Sequence, residues 1–566
     1  MEKHGTPQDL LFGSFKNKKN KNKVCIDDTA TETKLTYRDM NHETALAAAL
    51  FQNFHINSGN TVSLLLENGL HFFMPWLGAM RLGAVVHPVN CLYRPDQVLY
   101  ALALCETKLL VVQERYAWDA ATDSPSKCLI QIREKFPQLK ILIMHNPLNS
   151  QSENLEKGVS SRFNTNSWSR LIKFMQPYDL IALKSLADPF QLVCTSGTTG
   201  LPKAVVQHCG MFEPDVRDLI KIYKFTENDR SLLINRLFHV NSQVTNFFTM
   251  ALVGGRVVLA PPDPSTILKN IRERRITYGS VIPTTLKDIL LLEKKPSRKA
   301  IEKIRKHMRF FIAGADVLRP ETHRAFMNNT GIRVLPGWGM TETLCWGSGT
   351  PDGDPIIYGS IGAPLPHMDF KIVNPENNWE EVKPGEKGRL IVSGDAVFNG
   401  YFKNPEATEK AFLPSQKWGK KYFDTGDACN SDARGTYHFL GRASADSWKV
   451  RGEFVNAMDI DNFVSAHPTV SDVMAIPVIM NGETETAVCV VLKENNFELA
   501  AEWADTVIEL GIIKYCEEGR KNGKLEKHIK IKKIIFVENI EIGDTGKKSR
   551  KKMAEIAQEM IDQTPT

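Results

Sequence analysis

The sequence contains no apolar run approaching the ~18 residues that a membrane-spanning helix needs. It has no Cys-x-x-Cys pair, no fixed-period repeat and no strong excess of either charge. Each absence excludes a class. Without paired cysteine spacing, the ten Cys in 566 residues read as intracellular free thiols rather than a disulfide scaffold. Without a repeat, a solenoid is set aside. The 71 Lys and Arg stand against 65 Asp and Glu, and the resulting +6 is too dilute to argue for a nucleic-acid partner. The polar start MEKHGTPQDL lacks the apolar core of a signal peptide. These readings lead to the expectation of a cytoplasmic protein with no transmembrane segment.

What is present is ordinary for a globular chain, with 42% apolar and 24% charged residues. The length exceeds one hydrophobic core and implies two to four domains. Residues 1–30 read as a lead-in. Its stretch KNKKNKNK, Lys16 to Lys23, holds five Lys, which reads as a solvated loop or, in the sharper alternative, a peripheral contact with anionic lipid headgroups. From about 36 to 180, and again from 205 to 335, amphipathic helix patterns alternate with short apolar strands, as in YRDMNHETALAAALFQNF followed by NTVSLLLENG. That alternation predicts parallel sheets flanked by helices. After about 360, short pieces such as GRLIVSG and GTYHFLGR, separated by Gly and Pro, predict a barrel-like β region. A small α+β unit is expected from about 443. The domain expectation is a core over 1–440, a hinge at 441–446 and a mobile C-terminal domain over 447–566. The fold class is α/β.

Four segments carry chemistry. CTSGTTGLPK, Cys194 to Lys203, follows an apolar strand and combines small residues, hydroxyls and a Lys, a composition suited to phosphate oxygens; the plain alternative is a surface turn. It lacks Walker spacing, because Pro202 separates Leu201 from Lys203. GWGMTET, Gly337 to Thr343, offers an aromatic for a flat base, a hydroxyl for phosphate and a carboxylate for a metal; core packing of Trp338 is an equal reading. YFDTGD, Tyr422 to Asp427, places an acidic residue in a Gly turn, suited to two ribose hydroxyls or to the turn alone. Lys547 of Thr-Gly-Lys sits in a basic tail, where an exposed lysine is the default.

In order and spacing, these segments resemble the AMP-forming adenylating superfamily of acyl-CoA synthetases, luciferases and peptide-synthetase adenylation domains. The resemblance covers roughly residues 30 to 555. It also takes in LFHVNSQ, Leu237 to Gln243, as an acyl-pocket segment, and AGADV, Ala313 to Val317, as an adenine-contacting strand end. GRLIVSGDAVFNGYFKNPEAT precedes the ribose segment, and RGEFVNAMDIDNFVSAHPTVSDV opens the C-terminal domain. FHVNSQ and RGEFVNAMDID are similar to segments of fatty-acid and crotonobetaine/carnitine-type CoA ligases.

The resemblance implies a carboxylate–CoA ligase. It uses ATP and Mg²⁺, passes through an acyl-adenylate and transfers the acyl group of a small-molecule carboxylic acid to coenzyme A. The alternatives are a ligase that loads a separate carrier protein and a non-catalytic nucleotide-binding homologue. It further implies that Thr195, Ser196, Gly197, Thr198, Thr199, Gly200 and Lys203 cradle the phosphates. Gly314, Ala315, Trp338 and Gly339 frame adenine, and Asp427 and Arg442 take the ribose. Thr341 holds the α-phosphate and Glu342 holds the metal, and His239, in the acyl-pocket segment, is counted with them and Lys547 as catalytic. Lys547 stabilises charge during adenylation. Arg451, Gly452 and Glu453 face coenzyme A. Three departures stand out: Ala204 replaces a usual Gly, nine residues instead of eight separate Arg442 from Gly452, and Phe454 stands where Asn is common. The acyl group is left open.

Overall fold

The structure is a computed structural model. It describes residues 5–119, 124–144, 166–195, 202–292, 297–414, 417–442, 447–450, 453–480, 483–493, 504–522, 525, 529–543 and 548–563. The chain packs as two compact units, residues 1–369 with 392–423 and residues 370–391 with 424–566. This division differs from a cut at 440, since 370–391 and 424–440 pack with the C-terminal residues. Of the expected hinge, residues 443–446 lie outside the described residues.

The first unit is built on two sheets. In one, the strands run Lys203–His208, Pro189–Thr195, Val85–Pro88, Thr61–Leu65, Thr107–Gln113, Lys140–Met144 and Asn166–Ser167. All its neighbours are parallel except the edge hairpin 189–208. The other sheet has a parallel centre, from Val24–Asp28 through Arg256–Leu259, Arg230–Leu233, Tyr278–Val281 and Phe310–Ala313 to Arg333–Trp338. The alternating pattern read from the sequence is therefore present. A strand buried on both faces is continuously apolar in Phe310–Ala313, and in Tyr278–Val281 every residue is buried, Ser280 included.

From residue 5 the lead-in is structured. Thr6 and Asp9 form a capping box at the start of helix Pro7–Lys16, and Leu11, Phe12 and Phe15 of that helix are buried. A second capping box, Thr36 with Asp39, starts helix Tyr37–Asn53. Val24–Asp28 joins the large sheet beside Arg256–Leu259. The basic stretch between them is exposed at Lys18, Lys19 and Lys21, in keeping with a solvated loop, while Asn20 is buried.

The region expected to be barrel-like resolves differently. Ala363–Pro364 closes one edge of the large sheet, against Ser348–Gly349. Between 368 and 442 the strands follow the order Glu380–Glu381, Met368–Asn374, Gly388–Gly394, Tyr422–Ser431 and Phe412–Leu413, with Tyr437–Arg442 also on Tyr422–Ser431. Among the described residues the ends of this order do not pair, so a closed barrel is not supported. Short strands between Gly and Pro turns look alike in open and closed sheets, because closure depends on tilt and register.

The second unit also contains a three-stranded sheet, Val470–Met480, Glu483–Leu492 and Ile531–Phe536. Helices Ala457–Ser465 and Ala504–Lys521 contribute Ile460, Val464, Ile512 and Cys516 to one apolar cluster with Val473, Ala475 and Val488. Helix Arg550–Asp562 contributes Met553 and Ala557 to a second, with Met474, Ile476 and Cys489. These alternating residues show the period-2 pattern of a sheet covered on both faces.

Candidate active site

The edge hairpin carries the two ends of the CTSGTTGLPK segment. Thr195 ends one strand and pairs with Lys203, which begins the next, and Thr195 Oγ1 donates to the Lys203 carbonyl at 3.4 Å. Ser196, Gly197, Thr198, Thr199 and Gly200 lie outside the described residues. Ala204, the departure from Gly, is buried in extended backbone opposite Cys194. It is not among the residues at positive φ, so a methyl group is tolerated there.

Strand Arg333–Trp338 delivers the second segment, and Thr341–Thr343 forms a single 3₁₀ turn. Glu342 is only 6% exposed. Its Oε1 accepts a hydrogen bond from Tyr401 OH at 3.1 Å, and its carbonyl accepts from Phe398 N at 2.8 Å. Tyr401 is itself held to the hairpin by a bridge with Val205. Lys203 Nζ lies 4.9 Å from the centre of the Tyr401 ring, within cation–π range. Tyr401 thus joins the cation of one segment to the carboxylate of the other.

A buried glutamine relay fixes the turn. Gln207 Nε2 donates to the carbonyls of Thr341 and Leu344, each at 3.0 Å. Gln191 Nε2 donates to Gln207 Oε1 at 3.0 Å and to Gln243 Oε1 at 2.7 Å. Gln243 Nε2 in turn donates to the Leu237 carbonyl at 2.7 Å, and Trp76 Nε1 donates to Gln191 Oε1 at 3.2 Å. Gln243 belongs to the π-helical stretch Ser242–Phe248, whose residues are all buried. One hydrogen-bonded chain therefore connects LFHVNSQ with the Thr341–Glu342 turn.

Trp346 and the adjoining Cys345 backbone explain two glycines. A Cβ on Gly314 would lie 2.6 Å from Trp346 Cη2, and one on Gly339 would lie 1.8 Å from the Cys345 carbonyl oxygen. Trp346 Nε1 donates to Thr245 Oγ1 at 2.6 Å. Beneath it, burial pushes the Asp215 carboxyl well above the usual carboxylate range, and Asp215 Oδ2 accepts from Trp346 N at 3.4 Å. Ala315 is exposed with φ of 68°, a left-handed conformation that costs a non-glycine residue roughly 1 kcal/mol. Trp338 is buried at the end of its strand. His239 is exposed, with its ring 4.3 Å from that of Phe238.

The second unit carries the ribose candidates. Asp427 is 2% exposed and pairs across the strands with Arg442, whose Nε lies 3.0 Å from Asp427 Oδ1. Arg442 also donates to the Thr425 carbonyl at 3.0 Å, and Asp427 N donates to Thr425 Oγ1 at 3.0 Å. Arg389 reaches both oxygens of Asp424, at 3.1 and 2.9 Å, bracing the same strand. Glu453 begins the strand Glu453–Asn456. Arg451, Gly452 and Lys547 lie outside the described residues.

The first unit thus gathers Lys203 and Glu342 around Tyr401, and the second brings Asp427 and Arg442 together. Tyr401, Gln207, Gln191 and Trp346 were not singled out from sequence. Tyr401 and Gln243 did lie inside quoted segments, whereas a buried Gln in an apolar strand has no periodic signature.

Residues 15–402 match a family described as "AMP-binding enzyme". The crotonobetaine/carnitine–CoA ligase of Salmonella arizonae is 26% identical over 513 residues, covering 88% of this chain and 90% of that protein. That of Proteus mirabilis is 26% identical over 509 residues, covering 88% and 89%. Among solved structures, ATP-bound MatB from Rhodopseudomonas palustris has a TM-score of 0.81 at 22% identity, covering 97% of this chain and 99% of that one. The anthranilate CoA ligase AuaEII in complex with anthranoyl-AMP has a TM-score of 0.82 at 22% identity, covering 100% and 99%.

Proposed function

The chain belongs to the AMP-binding enzyme family, and from that premise we propose that it is an ATP-dependent, AMP-forming carboxylate–CoA ligase. The observation that carries this reading is the Lys203–Tyr401–Glu342 constellation, a cation and a buried carboxylate held on one aromatic ring at the mouth of the phosphate hairpin. The curated relatives named above support the choice of coenzyme A as the thiol.

In the first half-reaction a carboxylate oxygen attacks the α-phosphorus of ATP and pyrophosphate leaves. In the second, the coenzyme A thiol loses its proton, sulfur attacks the acyl carbonyl and AMP leaves. No protein nucleophile is required, so catalysis rests on positioning and charge stabilisation. Lys203, at the end of the hairpin, meets the leaving phosphates. The Thr341 turn, fixed from behind by Gln207, presents its hydroxyl to the α-phosphate. Asp427 accepts from ribose hydroxyls while Arg442 holds its carboxylate. Lys547 meets the charge that develops at the α-phosphate and carboxylate, and Arg451, Gly452 and Glu453 serve coenzyme A.

The carboxylate of Glu342, buried and already ordered by Tyr401, is a hard oxygen donor that fits Mg²⁺. When bound, the ion would neutralise phosphate charge. Movement of the C-terminal residues about 441–446 between the two half-reactions is part of the same proposal, as is a small-molecule carboxylic acid of the fatty-acid or carnitine type as substrate, of any chain length.

The test is pyrophosphate exchange into ATP over a panel of short, medium, long, aromatic and betaine acids, followed by thioester formation with free coenzyme A. Exchange with one acid class, together with its thioester, is the expected result. ATP binding without exchange for any acid overturns the enzyme reading, and exchange without a free thioester points to a carrier-protein acceptor.

A further inference from the structure

Among the described residues, one group of metal-ligating side chains lies outside the constellation above. His87, Cys105 and Cys194 offer ligand atoms that all lie within 4.8 Å of one another. Cys105 Sγ is 3.9 Å from Cys194 Sγ, and Cys194 Sγ is 3.5 Å from His87 Nε2. We propose that these three side chains bind one thiophilic divalent cation of the zinc class through two thiolates and an imidazole, leaving one position to a fourth donor.

The spacing carries the argument. With Zn–S near 2.3 Å and Zn–N near 2.0–2.1 Å, a tetrahedral ion separates its ligands by about 3.8 Å for S···S and about 3.6 Å for S···N. The two observed distances match those edges. The imidazole is also oriented. His87 Nδ1 is hydrogen-bonded to Ser63 Oγ at 2.9 Å, and Ser63 Oγ lies 2.7 Å from Thr107 Oγ1. Holding one ring nitrogen in this way assigns Nε2 to the sulfurs, the usual arrangement for a ligating histidine.

Charge and surroundings agree. Val85, Leu192 and Ala204, with Leu104, Val206 and Phe402, form an apolar cluster that includes both cysteines. A divalent ion with two thiolates and a neutral imidazole has no net charge, the one ionic combination an apolar shell accepts cheaply. Both sulfurs bind as thiolates, and any proton they carry leaves to solvent. Soft sulfur ligands disfavour Mg²⁺, which separates this site from Glu342. The ligands come from strand Val85–Pro88, from the end of helix Pro95–Leu104 and from strand Pro189–Thr195, so the ion would cross-link three segments next to Thr195.

The experiment uses the full chain, purified under reducing conditions and stripped with a chelator. Titration with Co²⁺ alone should give about one equivalent bound, with thiolate-to-cobalt charge transfer in the near ultraviolet and visible d–d bands. Cys105→Ser and His87→Gln should abolish those bands, and Ser63→Ala should weaken Co²⁺ binding by roughly ten- to a hundredfold. On the unmodified chain, which needs no variant to fold, Zn²⁺ should protect Cys105 and Cys194 from alkylation as read by peptide mass. Folded protein that shows neither bands nor protection overturns the proposal. So do bands unchanged in both ligand variants, or a Cys105–Cys194 disulfide in place of bound metal.

Discussion

Tyr401 donates its hydroxyl to Glu342 at 3.1 Å across 59 residues of sequence, and this bond orders the buried carboxylate at the candidate metal position. Tyr401→Phe keeps the ring beside Lys203 and removes only that donor. Loss of a hydrogen bond to a buried charged group is worth ~1.5–3 kcal/mol. Pyrophosphate exchange should fall by one to two orders of magnitude and require more Mg²⁺. Glu342→Gln should fall further while keeping its melting temperature. An unchanged Mg²⁺ dependence in both variants rejects the metal role.

Gln207→Leu tests the relay. It leaves the Thr341 and Leu344 carbonyls without the donors now at 3.0 Å, and each unsatisfied buried group costs ~1–3 kcal/mol. Melting temperature should drop by several degrees, and kcat should fall more than the KM for ATP rises. Gln207→Glu, which has the same shape but donates only when protonated, should behave like Leu at neutral pH. Full activity in either variant shows that the turn holds itself.

Asp427→Asn removes the negative charge facing Arg442 Nε at 3.0 Å. Arg442 is 40% exposed and keeps its contact with water, and Asn retains the shape of the buried carboxylate, so little unfolding is expected. The KM for ATP should rise at least tenfold while the KM for the acid stays constant. A change confined to the acid would remove Asp427 from the ribose site.

Lys547→Ala and Lys548→Ala separate neighbouring lysines. Lys548 Nζ is engaged by both oxygens of Asp472 at 2.6 Å, so its loss should cost at most ~1 kcal/mol of stability and little catalysis. Lys547→Ala should lower adenylation by roughly two to three orders of magnitude. Thioester formation from preformed acyl-adenylate should remain near the wild-type rate. If Lys548→Ala is the crippling change, the assignment is off by one residue.

His323 predicts a pH dependence of stability. Burial pushes its imidazole down to about 4, while Nε2 stays 2.9 Å from the Val334 carbonyl. An unfolded histidine takes its proton near 6.5. The unfolded chain therefore binds more protons between these values. Stability falls as pH drops from 6.5 toward 4, and this contribution levels off below. The melting-temperature difference between pH 7 and pH 5 should be smaller in His323→Gln than in wild type. Equal differences would show that His323 does not contribute.

The sequence alone determined the alternation of helices and strands, because 3.6- and 2-residue periods are local properties of a chain with one buried face. Helix Tyr37–Asn53 and strand Thr61–Leu65 fall inside the segments read as helix and strand. It also brought Lys203, Thr341, Glu342, Asp427 and Arg442 forward as candidates, because their neighbours repeat recognisable segments. Tertiary structure decided what no period encodes. It placed helix Pro7–Lys16 against the core, where Phe12 and Phe15 are fully buried, and it set the strands after 360 in an order that shows no closed barrel among the described residues. It also showed that Tyr401 rather than a neighbour meets Glu342, that three glutamines tie two distant segments, and that His87, Cys105 and Cys194 converge. Such pairings depend on which strands become neighbours, and strand order is fixed by packing across the whole unit rather than by any window of residues.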